Sequence, residues 1–250
     1  MAVQALDQTQ MNRRPPPHIA EAGVPSTRPD YLWTHQTSEE VLFHQPRIAH
    51  RIGEMSARAA LAFSLGALEW TLWRLREGLP DDRTFQFLDA AWAGLVDWRY
   101  LDAFIDFPWE ETFDREIAGP LAASFFCLEE AFADARDDKP FIHHPVSISE
   151  VALRVCGVPD AFKAWRRVTI DRLIERDPKD YSARLGHELP RDIVDPAYAS
   201  SGPRDDERIA AYLASLDWQA NPYLGKPEEM KADGFEGEPY RWPATGSPTP

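Results

Sequence analysis

The sequence has 250 residues and a formal net charge of −14 at pH 7, with 44% hydrophobic and 12% aromatic residues. A chain of this length and apolar content can bury a sizeable core in one large domain. The negative net charge argues against a nucleic-acid partner, because the phosphates of nucleic acids attract basic surfaces.

The cysteines and the first residues bear on the compartment. Cys127 and Cys156 are too few for a disulfide scaffold or a zinc knuckle, so we expect buried free thiols in a reducing compartment. Met1 to Met11 lacks the basic and apolar regions of a signal peptide. The longest uncharged apolar stretch of the helical region, Ala59 to Leu68, has ten residues, about half of a membrane span. We therefore expect a soluble, cytoplasmic protein without a membrane partner.

The first predicted elements are an arm and a short helix. Residues 1–30 are proline-rich, and Arg13 to Pro17 favour extended polyproline geometry, so we expect an arm that adds little to a core. Thr37 and Glu40 have the spacing of a capping box, which predicts a helix that runs to about His44.

The longest predicted helix covers residues 47–77. It contains no proline, and its apolar residues recur every three to five positions along one face. Between Ala59 and Leu68 nearly every side of the helix is apolar, which is typical of a helix surrounded by others. We therefore place this helix at the centre of the fold, and Gly78 with Pro80 should end it.

Caps and apolar spacing predict the remaining helices. They cover residues 82–105, 114–137, 147–156, 159–176 and 205–216. Ser147 and Glu150 form a second capping box at the start of the third of these. No segment shows the alternation of a strand, so we predict an all-α fold of six to eight helices in residues 31–217.

The C-terminal segment, residues 218–250, combines prolines with large apolar residues such as Tyr223, Phe235 and Trp242. A solvated linker rarely contains so many. We expect an extended arm that packs on the helical domain through about Trp242, with residues 243–250 free.

Most of the excess negative charge falls in residues 81–138, which contain fifteen acidic and four basic residues, a net charge of −11. The same window contains Trp92, Trp98 and Trp109. Concentrated acid beside large aromatic residues favours a basic protein partner and argues against nucleic acid.

The candidate interface within this window lies at residues 97–114, where Phe107, Pro108 and Trp109 predict a turn near a helix end. Exposed aromatic residues rimmed by acids would form an interface with a central anchor and a polar rim. The alternative is a buried aromatic cluster with acids that face water. The predicted partner-binding residues are Asp97, Asp102, Asp106, Trp109, Glu110, Glu111 and Asp114.

Motifs for catalysis are absent from the sequence. It has no Gly-x-Ser-x-Gly nucleophile elbow and no glycine-rich phosphate loop, so we predict no catalytic residue. Glu40, His44, His50 and Glu54 include two Glu/His pairs four residues apart, which could place metal or haem ligands on one helical face. Pro46 separates the two pairs, and surface or capping histidines are the alternative.

Three hypotheses about function follow. The leading one is a non-enzymatic acidic binding protein that neutralises or escorts a basic protein partner, such as an immunity protein against a bacterial toxin, with no cofactor. The second is an all-α metal- or haem-dependent enzyme that uses His44, His50 and Glu54. The third is an adaptor that docks through its proline-rich arms.

Overall fold

The structure, a computed structural model, describes residues 13–25, 27, 29–43, 47–106, 114–139, 142–182, 185–199 and 202–242. Within these residues the chain forms ten α-helices: α1 (Pro17–Glu21), α2 (His35–Phe43), α3 (Ile48–Ile52), α4 (Ala57–Leu75), α5 (Arg83–Val96), α6 (Arg115–Arg136), α7 (His143–Val155), α8 (Pro159–Arg176), α9 (Asp205–Ala214) and α10 (Pro227–Ala232). The described residues contain no β-strand, only isolated bridges. The all-α prediction is confirmed.

Eight of these helices, α2 to α9, lie within the described part of residues 31–217, where six to eight are predicted. The short helices α1 and α10 lie outside that range and are not predicted, and α3 is separate from α4. Among the residues that the structure describes, three short 3₁₀ turns connect longer elements: Arg76–Gly78, Trp98–Tyr100 and Arg191–Val194.

Helix α4 occupies the centre of the fold, as the sequence predicts. Its residues are buried from Arg58 to Leu75, and it packs against α5, α6, α7 and α8. Close packing requires small residues at some positions. A Cβ atom on Gly66 would lie 2.9 Å from the ring of Trp165 on α8, so glycine lets these two helices approach.

The prediction of one continuous helix over residues 47–77 is wrong, because the helix is interrupted between α3 and α4. The backbone N–H of Ser56 donates a hydrogen bond to the carbonyl of Asp177 (2.9 Å) and so leaves the helical ladder. The Ser56 hydroxyl then accepts from the N–H of Ala59 (3.1 Å) and caps α4. The break therefore depends on a residue far along the chain.

Two other predicted boundaries are also wrong. Helix α5 ends at Val96 and not near residue 105, because Asp97 is extended and its carboxylate accepts from the N–H of Arg99 (3.0 Å). Helix α7 begins at His143, so the predicted cap Ser147 lies inside the helix and is buried.

The cap of α2 lies at Thr34 and not at Thr37. The N–H of Thr37 donates to the Thr34 hydroxyl (3.1 Å), and the N–H of Thr34 donates to the Thr37 hydroxyl (3.3 Å). This reciprocal pair satisfies backbone donors at the helix start. Glu40, the predicted capping partner, instead pairs with Arg154 on α7 (2.7 Å).

Residues 13–25 contribute to the core, which their composition did not indicate. Ile19 on α1 is 1% exposed and belongs to the main hydrophobic cluster. Arg13 forms ion pairs with Asp89 (2.7 Å) and Asp82 (3.3 Å) on and before α5.

The C-terminal residues form a second hydrophobic cluster with α5 and α9. Leu224, Met230, Phe235 and Tyr240 are buried there. The Tyr240 hydroxyl donates to the carbonyl of Gly225 (2.6 Å). This segment includes α10, so it is not extended throughout.

Removing the C-terminal segment should lower stability. We expect truncation after Leu216 to lower the free energy of unfolding by about 3 kcal/mol or more, because the segment's buried apolar side chains are lost. The conformational entropy that no longer has to be lost to order the segment offsets part of this effect. For a chain of this size the melting temperature should fall by about 6–12 °C. Truncation after Trp242 is the control and should change it little. Calorimetry of both variants measures the difference, and equal melting temperatures would show that the segment does not stabilise the fold.

Candidate partner-binding surface

The acids in the first part of the window, residues 81–97, are neutralised within the protein. Asp81 pairs with Arg83 (2.8 Å), and Asp97 pairs with Arg99 (2.6 Å). The other two acids in this part, Asp82 and Asp89, pair with arginines from distant segments. The net charge of the window therefore overstates the charge that this part presents to a partner.

Arg13, Glu69, Asp89 and Arg191 form an ionic cluster that we call the Arg191 network, in which Glu69 is buried and the other three side chains are partly buried. Arg191 donates to Glu69 on α4 (3.0 Å) and to Asp89 on α5 (2.6 Å), and Arg13 donates to the other oxygen of Asp89 (2.7 Å). Glu69 is 4% exposed. The network ties the Arg191–Val194 turn and the N-terminal residues to the central helices.

Burial and charge act in opposite directions on the Arg191 network. Burial raises the pKa of Glu69 above 4.5, although the adjacent Arg191 lowers it. Burial alone would lower the pKa of Arg191, but Glu69 and Asp89 raise it above its ordinary value. The guanidinium therefore stays charged, and its role is structural.

The structure describes four of the seven predicted partner-binding residues. Asp102, Asp106 and Asp114 are exposed, and Asp114 directly precedes α6. Asp97 forms an ion pair with Arg99 and is only partly exposed. The others, Trp109, Glu110 and Glu111, lie outside the described residues.

The aromatic residues near these acids pack inward, so the alternative of a buried aromatic cluster holds for those that the structure describes. Tyr100 is 0% exposed and contacts Phe235, with ring centroids 5.4 Å apart. Trp98 and Phe104 are partly buried, and each ring lies 5.8 Å from that of Phe132 on α6. They fill the space between α5, α6 and the C-terminal segment.

An exposed aromatic residue does occur beside acids, on α6. Phe126 is 56% exposed. Glu129 and Glu130, three and four residues later, are both exposed. Residues at these spacings are neighbours on a helix surface, so the two carboxylates lie on either side of the line that runs along the helix from Phe126. Neither glutamate forms an ion pair with any described residue.

We call Ala122, Phe126, Glu129, Glu130 and Ala133 the acidic face of α6. Sequence reasoning missed it, because Phe126 stands in the apolar run of residues 125–128. The helical phase could have found it. Phe125 is buried, and each residue turns by about 100°, so Phe126 leaves the core side while Leu128 returns to it.

Comparison with known proteins gave no relative. No family model, curated protein or solved structure matches the chain.

The cysteines provide no nucleophile. Both are free and buried, as the sequence predicts. Burial raises the pKa of Cys127 to about 12, and burial also raises the pKa of Cys156. A thiol that stays protonated at neutral pH is a poor nucleophile and a poor metal ligand.

The histidine pairs considered for metal binding are not assembled into a site in the described part of the chain. His50 is exposed and Glu54 is partly exposed, with 3.2 Å between Nε2 and Oε1. His44 lies outside the described residues. Across the residues that the structure describes, no three His, Cys, Asp or Glu side chains are grouped so that they could hold a metal ion.

Ser56, Asp177 and His187 bring together the residue types of a catalytic triad, but in a different order of bonding. Asp177 accepts from the Ser56 hydroxyl and lies 3.0 Å from Nδ1 of His187. In a triad the histidine contacts the serine and removes its proton. Here the serine contacts the aspartate and caps α4, so the group fixes the start of that helix.

A buried histidine also lacks the contacts of an acid–base catalyst. The His18 ring stacks on Trp165, with centroids 6.2 Å apart, and Nδ1 is buried without a hydrogen-bond partner. Burial lowers the pKa of His18 to about 4, although Asp195 raises it. The imidazole is therefore neutral at pH 7 and packs as an aromatic ring.

Within the described residues, no helix is long and apolar enough to cross a membrane.

Proposed function

We propose that this chain is a non-enzymatic binding protein that neutralises or escorts a basic protein partner through the acidic face of α6. The observation that supports this proposal best is the exposed Phe126 next to Glu129 and Glu130. Aromatic anchors surrounded by a polar rim provide much of the binding energy in protein interfaces.

The charge on this face is available to a partner. Several arginines are engaged within the fold, including Arg13 and Arg191 in the Arg191 network. Glu129, Glu130, Asp102 and Asp106 form no direct ion pair with another described residue. Unpaired surface carboxylates attract a basic protein over a distance of about 8–10 Å at moderate salt and increase its association rate.

Phe126, as the aromatic anchor, would determine the dissociation rate of the complex. Burying the exposed half of a phenylalanine ring removes apolar surface from water and slows dissociation. Ala122, one turn before Phe126, presents only a methyl group and would leave room for a partner side chain beside the ring. An immunity protein that covers the basic active site of a toxin would bind in this manner.

The partner can be identified by photo-crosslinking at the anchor. Phe126 is replaced by p-benzoylphenylalanine in the full chain, and Val168, which is 39% exposed on α8, is replaced in a matched control. We expect a basic protein to crosslink from position 126 and not from position 168. Equal crosslinking from both positions, or none from position 126, would contradict the proposed surface.

Charge reversal then tests the mechanism with the purified partner. Glu129→Lys with Glu130→Lys should slow association at low salt by about tenfold or more and weaken its salt dependence. The control, Glu175→Lys with Glu228→Lys, changes the net charge by the same amount at two other exposed sites. It should slow association far less. Phe126→Ala should mainly speed dissociation, by about tenfold.

Asp102→Lys with Asp106→Lys tests the part of the sequence-predicted site that the structure describes. We expect a smaller effect than at Glu129 and Glu130, since the aromatic residues beside Asp102 and Asp106 pack inward. Stopped-flow kinetics over a salt series measures all these variants. If charge reversal at Glu129 and Glu130 slows association no more than the distant control does, the acidic face of α6 is not the binding surface.

A further inference from the structure

A cleft with a positive rim lies on this acidic protein. Its volume is about 680 Å³, within the range of small-molecule sites. It is bounded by the start of α4, the end of α6, the start of α7, residues 179–182 and Leu185. The apolar residues that line it include Ile52, Met55, Ala60, Trp98, Ile142 and Leu185.

The charged residues that line the cleft are mostly cations. They are Arg136, Lys139 and Lys179, with Asp138 as the carboxylate among the lining residues. Lys139 pairs with Asp137 (2.6 Å), but both side chains are 59% exposed, so this contact contributes little and can be exchanged. Arg136 and Lys179 form no ion pair with another described residue, and Lys179 lies 5.1 Å from the centre of the Tyr181 ring.

The walls of the cleft are held in place without a ligand. The N–H of Lys179 donates to the carbonyl of Glu54 (2.8 Å), and the N–H of Ser56 donates to the carbonyl of Asp177 (2.9 Å). Met55 and Pro178 form an isolated bridge between the same two segments. These bonds fix the segment that contains Lys179 beside the floor that contains Met55, so the cations stand at a preformed apolar site.

We propose that this cleft binds an organic carboxylate with an apolar body, such as a medium-chain fatty acid. The body would lie on the floor of Ile52, Met55 and Trp98, and the carboxylate would meet Arg136 and Lys179 at the rim. The apolar contact supplies affinity, and the positive rim selects an anion over an alcohol or an amine. The proposal uses residues outside the acidic face of α6 and does not depend on the protein partner.

Calorimetry with decanoate, below its micelle concentration, tests the class of ligand in the full chain. We expect one saturable site per chain, with 1-decanol and decylammonium at least about tenfold weaker. Raising the salt concentration should weaken the binding of decanoate and leave the affinity for 1-decanol unchanged, since only the anion contacts the rim cations. Absence of saturable decanoate binding, or equal affinity for the three compounds, would overturn the proposal.

Variants and labelling locate the site. Arg136→Ala with Lys179→Ala should weaken decanoate binding by about tenfold. The control, Arg115→Ala with Arg167→Ala, removes the same charge from two other exposed positions and should leave decanoate binding unchanged. All four positions are exposed, so these variants should fold. A diazirine derivative of decanoate should label peptides that contain residues 52–60 or 179–185. Labels confined to other peptides, or equal weakening by both pairs of substitutions, would show that the ligand binds elsewhere.

Discussion

Phe63→Asp is expected to abolish cooperative folding. Phe63 is 0% exposed in the middle of α4, and its ring stacks on Trp165, with centroids 5.9 Å apart. The substitution removes an aromatic side chain from the core, which costs about 3–5 kcal/mol. It also buries a carboxylate without a partner, which costs several kcal/mol more. Together these losses approach the total stability of a typical domain, about 5–15 kcal/mol.

Phe126→Asp is the matched control for this experiment. It makes the same chemical change at the exposed position on α6 and should change the free energy of unfolding by less than about 1 kcal/mol. Circular dichroism during urea titration measures both variants. A Phe63→Asp protein that keeps a cooperative transition near that of the parent chain would show that α4 is not central.

The long helices could be predicted because their signals are local. The sequence predicts helices at residues 114–137 and 159–176, and α6 and α8 occupy Arg115–Arg136 and Pro159–Arg176. Each has an apolar stripe at helical spacing, and Pro159 occupies the first position of α8, where proline is favoured. The all-round apolar character of Ala59 to Leu68 also predicted a buried central helix.

The break between α3 and α4 could not be predicted, because the residue that causes it lies far away in the sequence. The chain between Ile52 and Ala57 has no proline and continues the apolar pattern. It leaves the helix because the N–H of Ser56 binds the carbonyl of Asp177. No local pattern contains that contact.

The charge that the acidic window presents to a partner depends in the same way on residues far away in the sequence. The count over residues 81–138 omits Arg13 and Arg191, which lie outside it and neutralise Asp82 and Asp89. Likewise, the direction of Phe126 depends on which side of α6 faces the core. The composition therefore indicated an acidic protein, but the fold determines which acids remain available.

The Arg191 network gives a second large expected effect. Arg191→Met leaves Glu69 buried without its counterion, while Asp89 keeps Arg13. Breaking one side of a buried ion pair costs about 3–5 kcal/mol. Arg167→Met, on the exposed side of α8, is the control and should change the free energy of unfolding by at most about 0.5 kcal/mol. Replacing Glu69 by Gln in the Arg191→Met protein should restore part of the loss, because the unpaired charge is removed.

The loss caused by Arg191→Met should depend on pH in a defined direction. The pKa of Glu69 is raised above 4.5 by burial, and removing Arg191 raises it further. An acid with a raised pKa in the folded state favours folding at low pH, and this contribution is lost as pH rises through that pKa. The deficit relative to the parent chain should therefore be greatest near pH 7 and shrink as pH falls towards 4.5. His18, whose folded pKa is about 4, titrates in the same range and lines the same pocket as Glu69 and Arg191, so the Arg191→Met protein with Glu69→Gln is measured alongside to isolate Glu69. Urea unfolding of these proteins across this range measures the deficit, and a deficit that is constant or grows in acid would mean that Arg191 does not act through Glu69.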